Sequence, residues 1–332
     1  MAPSAACAQY EGTLGIEFDL IARYFSRPVP SRFLGGGDDC ALLPLAPGLQ
    51  MATSTDLLLE GRHFLSGTDP NALGHKALAV NLSDLAAMGA QPLACVLGLS
   101  LPGADHDWLA AFADGFYALA DAAQCPLVGG DTTRSPWGVV ISVTVFGQVD
   151  PALALRRDAA QAGDDIWVSG TLGAAYVALR LLQGALPADP ALLAATRPAL
   201  ERPLPPWQFA ARLGGVAHAA LDISDGLAQD LGHILDASRC GAELDLDALP
   251  VDPALRGLAP ELARQAALTG GDVYQLCFTA APGQRDTIAG LAAQSSLPVT
   301  RIGRIVARPG LFARDAASGL AALSPAGFDH FS

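Results

Sequence analysis

The sequence predicts an α/β (α+β) protein built from two mixed α/β domains, on three observations. The chain has 332 residues, more than one core of ordinary size holds and enough for two domains of roughly 150 residues each. Apolar residues make up 51% and charged residues only 16%, which favours packed interiors over disorder. Short β runs alternate with helical patterns in both halves, and composition shifts between Asp150 and Gly163. The domains are therefore expected over residues 1–150 and 151–332.

In the first half, Leu49–Ser54 reads as a strand leading into an acidic turn at Asp56. Pro70–Met88 reads as a helix with Asp69 as N-cap, Pro70 at the first helical position, and Gly89 and Pro92 as stops. His106–Ala123 is a second helix, Pro126–Val128 a short strand broken at Gly129-Gly130, and Val139–Val149 a dense, largely buried strand. The second half opens with a strand at Asp165–Ser169 and a helix after Gly173. A proline-rich connector, Pro187–Pro206, follows. Then come strands at Val216–Leu221 and Ala242–Leu246 around a helix Gly226–Ser238, and strands at Val273–Thr279 and Val299–Ile305 flanking a last helix.

Charge and apolar patterning exclude several functions. Net charge is −13 and the only lysine is Lys76, so binding to nucleic acid or to an anionic membrane is not expected. Residues 1–17 have neither a basic start nor a continuous apolar segment, and no apolar run approaches the roughly 18–20 residues of a membrane span. A cytoplasmic location is expected. The six cysteines form no Cys-x-x-Cys pair, which argues for reduced thiols and against structural zinc.

Five segments place aspartates at the ends of apolar elements: Gly35–Cys40, Ser54–Asp56, Asn81–Asp84, Gly129–Arg134 and Asp222–Gly226. Any one of them alone reads as a helix cap or a turn. Asp84 resists that reading. It lies late in a helix, where the dipole disfavours a carboxylate, among Leu82, Leu85, Ala86 and Met88 and one turn after Asn81. Carboxylates and hydroxyls without cysteine or histidine suit magnesium, which takes phosphate oxygens as further ligands. Asp222 and Asp225 precede a helix whose first N–H groups would also accept a phosphate. No Gly-x-x-x-x-Gly-Lys-Ser/Thr loop is present. If the protein handles ATP, metals held by aspartates must neutralise the phosphates.

These segments resemble one family. Ser54-Thr55-Asp56 through His63-Phe64, Lys76–Ala90, Gly129–Arg134, Leu221–Leu227 and the tail Gly327–Phe331 are similar, in order and spacing, to thiamine-monophosphate kinases. The likeness runs from about Ile16 to Phe331. The family belongs to a superfamily with aminoimidazole-ribonucleotide synthetase, selenophosphate synthetase and a hydrogenase-maturation protein. A selenophosphate- or aminoimidazole-ribonucleotide-synthetase-like reaction is the alternative. The resemblance implies a homodimer whose N-terminal sheets pair into a barrel. The N-terminal domain would bind metal and ATP, and the C-terminal domain would complete the ATP and substrate site. It implies several Mg2+ ions on Asp39, Ser54, Thr55, Asp56, Asp84, Asp131, Asp222 and Asp225. ATP contacts would come from Gly130, Asp131, Arg157 and Ser224, and thiamine monophosphate contacts from His63, Asp272 and Phe328. The implied reaction is direct in-line transfer from ATP to thiamine monophosphate, giving thiamine diphosphate, with no residue acting as acid, base or nucleophile. One departure stands out. Where the family reads Gly-Gly-Glu-Asp-Tyr-Glu-Leu, this chain has Gly270-Gly271-Asp272-Val273-Tyr274-Gln275-Leu276.

Overall fold

The computed structural model describes residues 19–35, 40–315, 319–323 and 327. The chain divides into two units. The first comprises residues up to 47, 53–81 and 92–147; the second comprises 48–52, 82–91 and 148–332. Among the described residues, no helix is long and apolar enough to cross a membrane.

The first unit holds a four-stranded sheet of β1 (Gln50–Leu59), β2 (Gln91–Leu101), β3 (Leu127–Arg134) and β4 (Val140–Val149), in the order β1-β4-β2-β3. Helix α1 (Pro70–Ala87) contributes residues 70–81 to this unit, and α2 (His106–Ala123) makes the crossover between parallel β2 and β3. Period-2 alternation gives the sheet two different faces. Cys95, Leu97, Leu99, Ile141, Val143 and Val145 are buried on one, where Tyr117 of α2 stands beside Cys95. Val96, Ser100, Val140, Thr144 and Phe146 on the other face are only half-buried, and Met51, Thr55 and Leu57 of edge strand β1 are exposed. Helix α2 starts where expected because the Asp105 carboxylate caps it, accepting from the N–H groups of Asp107 and Trp108, both at 3.0 Å.

Two boundaries in this unit differ from the sequence reading. β1 does not turn at Asp56 but runs on to Leu59. The hydroxyls of Thr53 and Thr55 donate to the carbonyls of Val145 and Val143 (2.9 and 3.0 Å), tying polar residues into the strand. β3 is not broken at Gly129-Gly130 but passes through both, because at Gly130 the backbone of β2 comes so close that a side chain would strike the Leu97 carbonyl.

The second unit is a seven-stranded sheet in the order β11-β10-β7-β9-β5-β8-β6. Its strands are β5 (Asp165–Ser169), β6 (Ala219–Asp222), β7 (Gly241–Asp245), β8 (Leu276–Ala280), β9 (Val299–Val306), β10 (Gly310–Asp315) and β11 (Gly319–Ala322). Between them run α3 (Ala174–Leu182), α4 (Pro190–Glu201), α5 (Trp207–Ala210), α6 (Leu227–Ser238), α7 (Pro260–Thr269) and α8 (Arg285–Gln294). Both faces are covered. Ile166 and Val168 of β5 pack with Leu227, Leu231 and Ile234 of α6, while Trp167 between them packs with Phe278, Phe209 and Ile288 on the other side. Each such fully buried side chain contributes about 1.5–3 kcal/mol. Ala86 and Ala87, the end of α1, belong to that second layer. The packing fixes the last turn of α1, and with it Ser83 and Asp84.

The connector Pro187–Pro206 holds a helix that the proline content hides. Asp189 caps α4 through the N–H of Leu192 (2.9 Å), and Pro190 sits where its missing N–H costs nothing. Residues 273–275, expected in a strand, form a loop, and β8 begins at Leu276.

Candidate functional site

The turn between β6 and α6, residues 222–226, carries Asp222 and Asp225. Asp222 is buried at 6% exposure, and its Oδ2 accepts a 2.7 Å hydrogen bond from the hydroxyl of Ser83, which is fully buried on α1 next to Asp84. Asp84 itself is half-buried. The backbone N–H groups of the turn just before α6 are engaged by a side chain of the helix itself. Asp230, four residues into the helix, turns its carboxylate back so that Oδ2 accepts from the N–H groups of Ser224, Asp225 and Gly226, each at 3.0 Å. Burial pushes the Asp230 carboxyl up to about 6, while the three backbone donors favour its charged form.

The loop between α7 and β8, which carries Asp272, is joined to this turn backbone to backbone. Asp272 N–H donates to the Ser224 carbonyl (2.8 Å), Tyr274 N–H to the Ile223 carbonyl (2.7 Å), and Ile223 N–H to the Gln275 carbonyl (2.7 Å). Asp272 (φ 60°) and Tyr274 (φ 54°) are both left-handed, a conformation that costs a non-glycine residue roughly 1–2 kcal/mol. The Tyr274 hydroxyl bonds the Asp272 carboxylate at 3.0 Å. At Gly271 a β-carbon would lie 2.6 Å from the Ser224 carbonyl oxygen, so glycine is what lets the two loops meet. The backbone at Gly327 lies against Asp225 of the same turn and Gln229 of α6. Phe328, the next residue, lies outside the described residues, as does Asp39.

Gln275 explains part of the departure from the family pattern. Its Oε1 accepts from the Ser169 hydroxyl (2.7 Å), its Nε2 donates to the Leu204 carbonyl (3.1 Å), and the Ser169 oxygen accepts the N–H of Leu276 (2.9 Å). The side chain at this position ties β5, β8 and the segment after α4 together.

In the first unit, Asp56 is held by Asn81, whose Oδ1 accepts the Asp56 N–H at 3.0 Å and whose Nδ2 donates to the Ala77 carbonyl at 3.1 Å. Ser54 and Asp56 point to one face of β1. Thr55 points to the other, where its hydroxyl donates to Val143 and accepts from Thr144 (2.9 Å). His63 sits in the turn after β1, and its Nδ1 accepts the N–H of Leu59 at 3.0 Å. In the neutral ring that bond puts the proton on Nε2. Gly130 and Asp131 lie on β3, the opposite edge of the sheet from β1. Three strand spacings, about 14 Å, separate the two edges. The glycine at 130 lets β3 pair closely with β2, because a side chain there would strike the Leu97 carbonyl.

Arg157 is exposed in a 3-10 turn, and its carbonyl accepts from the hydroxyl of Ser238 (2.8 Å) at the far end of α6 from Ser224. Among the described residues, no three His, Cys, Asp or Glu side chains stand close enough to hold a metal ion between them. The donor chemistry fits magnesium all the same, because that ion is usually held by one or two carboxylates with waters and substrate phosphates completing its shell. Sequence reasoning missed Ser83, Asp230 and Tyr274. A hydroxyl in an apolar helix face and an aspartate in the first turn after a glycine were the available signals.

The two-unit α/β fold, with carboxylate-bearing turns at the ends of β6 and α1, defines a protein of the AIR synthase related class. Residues 37–149 match the family described as AIR synthase related protein, N-terminal domain, and residues 161–316 match the corresponding C-terminal domain. The thiamine-monophosphate kinase of Escherichia coli strain K12 is 44% identical over 95% of this chain and 98% of its own length. A crystal structure of thiamine-monophosphate kinase from Stenotrophomonas maltophilia K279a superposes with a TM-score of 0.81 at 50% identity, covering 89% of this chain and 94% of that one. A structure of AaThiL complexed with AMPPCP and TMP gives a TM-score of 0.75 at 30% identity, over 86% and 88% of the two chains. The chain belongs to the thiamine-monophosphate kinase family.

Proposed function

We propose that the protein transfers the terminal phosphoryl group of ATP to the phosphate of thiamine monophosphate, giving thiamine diphosphate and ADP, with magnesium. One observation carries the reading beyond family membership. The loop bearing Asp272, the acceptor residue, is hydrogen-bonded through its backbone to the turn bearing Asp222, Ser224 and Asp225. Acceptor and nucleotide contacts then rest on one rigid pair of loops, as in-line transfer requires.

The attacking atom is an oxygen of a phosphate monoester, whose second pKa is near 6, so it is already mostly a dianion at neutral pH. Removing a proton from it is unnecessary, and none of the proposed site residues is given the role of base. The residues proposed to hold magnesium are Asp39, Ser54, Asp56, Asp84, Asp131, Asp222 and Asp225, with Thr55 acting through its carbonyl because its hydroxyl faces away. Magnesium bound there would supply neutralisation of the phosphate charges. Gly130, Asp131, Arg157 and Ser224 are assigned to ATP, and His63, Asp272 and Phe328 to thiamine monophosphate. His63 would donate from Nε2 to an acceptor oxygen.

A homodimer in the cytoplasm completes the reading. The half-buried face of the first unit's sheet and the exposed Met51 and Leu57 support closure against a partner sheet, which also gives edges β1 and β3 neighbours. The domains would divide as residues 1–150, dimerising and binding metal and ATP, and 151–332, completing the site. The test is turnover of ATP with thiamine monophosphate and magnesium, followed as thiamine diphosphate formed. If none forms under conditions where a family kinase is active, the reading fails.

A further inference from the structure

Asp230 is a buried acidic group that the mechanism does not use. It is 4% exposed, sits in the first turn of α6, and gives its own N–H to the Gly226 carbonyl at 2.9 Å. One of its oxygens collects three successive backbone N–H groups, those of Ser224, Asp225 and Gly226. Successive N–H groups converging on one point at a helix start form a nest for an anion, and a phosphate is the usual occupant. Here the occupant is the chain's own carboxylate.

Two consequences follow from that occupancy. The nest at 224–226 is already occupied by a carboxylate, so a phosphoryl group approaching that stretch of the turn meets the side chains of Asp222 and Asp225 rather than those three donors. The backbone of 224–226 is held by three bonds to a single buried atom, so the points from which those two carboxylates project are fixed as well.

We propose that Asp230 is a positioning residue of this site: it fills the anion nest formed by the backbone of 224–226, so that the 222–226 turn engages phosphoryl groups through its side chains and a cation held by Asp222 and Asp225 rather than through those N–H groups. The cation part of this statement rests on the kinase reading above; the occupied nest does not.

Replacement tests the two parts separately. Asp230→Ala empties the nest, and Asp230→Asn keeps an acceptor oxygen without the charge. Melting temperatures are measured in metal-free buffer with millimolar sodium sulfate or phosphate against sodium chloride at equal ionic strength. The Mg2+ concentration giving half-maximal turnover is measured beside them. In Asp230→Ala the oxyanions should raise the melting temperature well beyond their effect on the unaltered protein, because they stabilise only a state that binds them. Half-maximal Mg2+ should rise several-fold, with Asp230→Asn intermediate in both readouts. The proposal is overturned if the unaltered protein gains as much from sulfate as Asp230→Ala does, or if a folded Asp230→Ala shows neither change. If the alanine variant does not fold, Asp230→Asn carries the test, and wild-type behaviour in both readouts overturns the proposal. Absence of turnover in the unaltered protein would sink the kinase reading and leave the melting comparison intact.

Discussion

The hydroxyl of Ser83 donates to Oδ2 of Asp222 at 2.7 Å, across 139 residues of sequence. The bond joins the last turns of α1 to the turn that opens α6, and both partners are buried. A carboxylate in that position is costly unless its lone pairs are taken. Ser83→Ala removes one donor and should destabilise the protein by about 1–3 kcal/mol, read as a lower urea midpoint without magnesium. Because Asp222 then loses its orientation, kcat/KM should fall further than the stability loss explains. Activity unchanged in a folded Ser83→Ala would show that Asp222 needs no such support.

Phosphate binding should depend on the aspartates and not on the one lysine. Asp56→Asn, Asp84→Asn and Asp222→Asn are each expected to cut turnover by orders of magnitude while keeping the fold, since asparagine preserves shape and an acceptor oxygen. Lys76 is 4% exposed, so the appropriate comparison is Lys76→Met, which retains the stem's packing. It should stay within a few-fold of the unaltered enzyme in steady-state kinetics. The opposite pattern would refute the metal reading.

What the sequence disclosed followed the length of the physical signal. Helix α2 was readable to the residue because a long apolar pattern starts at a capping Asp105, and β5 because five buried residues stand between polar turns. Pro198 and its neighbours hid α4, since proline content outweighed the cap at Asp189. The loop at 273–275 reads as strand because Val273 and Tyr274 favour strands. Its left-handed residues are set by hydrogen bonds to Ile223 and Ser224, more than 45 residues away in sequence. The aspartates of the site were legible as motifs. The residues that hold them, Ser83 and Asp230, were not, because their partners are defined only by folding.

Gln275 should prove to be a structural residue. A glutamate in its place accepts from Ser169 but presents a second oxygen, rather than an N–H, to the Leu204 carbonyl 3.1 Å away. Gln275→Glu is therefore expected to lower stability by about 0.5–1.5 kcal/mol, the net worth of one hydrogen bond, because the Leu204 end of the contact is exposed. The loss should appear in thermal denaturation, with little change in the KM for ATP. A more stable Gln275→Glu would place this side chain in a different role.

The acceptor should need its phosphate. Thiamine monophosphate presents an oxygen that is already ionised, whereas the hydroxyl of free thiamine must lose a proton during transfer. Thiamine is expected to react poorly or not at all under conditions in which thiamine monophosphate is consumed within minutes. Efficient conversion of thiamine to its monophosphate would require a base that the proposed mechanism lacks.

Transfer is expected to be direct, with His63 and Asp272 holding the acceptor and taking neither proton nor phosphoryl group. A separate part is expected of each. His63 accepts the Leu59 N–H on Nδ1, which orients Nε2–H as a donor. Asp272 carries its carboxylate at φ 60° with the Tyr274 hydroxyl on one oxygen. That negative group suits the cationic thiazolium or the aminopyrimidine of the acceptor. His63→Ala and Asp272→Asn should then mainly raise the KM for thiamine monophosphate and leave ATP binding nearly unchanged. Asparagine is the better replacement at 272 because it tolerates the left-handed conformation. Some loss of kcat is expected as well, since a misplaced acceptor also reacts more slowly. Rapid-quench kinetics with labelled ATP separates this from a covalent route. A phosphorylated enzyme trapped with ATP alone would refute direct transfer. A His63→Ala variant that binds thiamine monophosphate normally and cannot turn it over would give His63 a chemical part in place of a binding one.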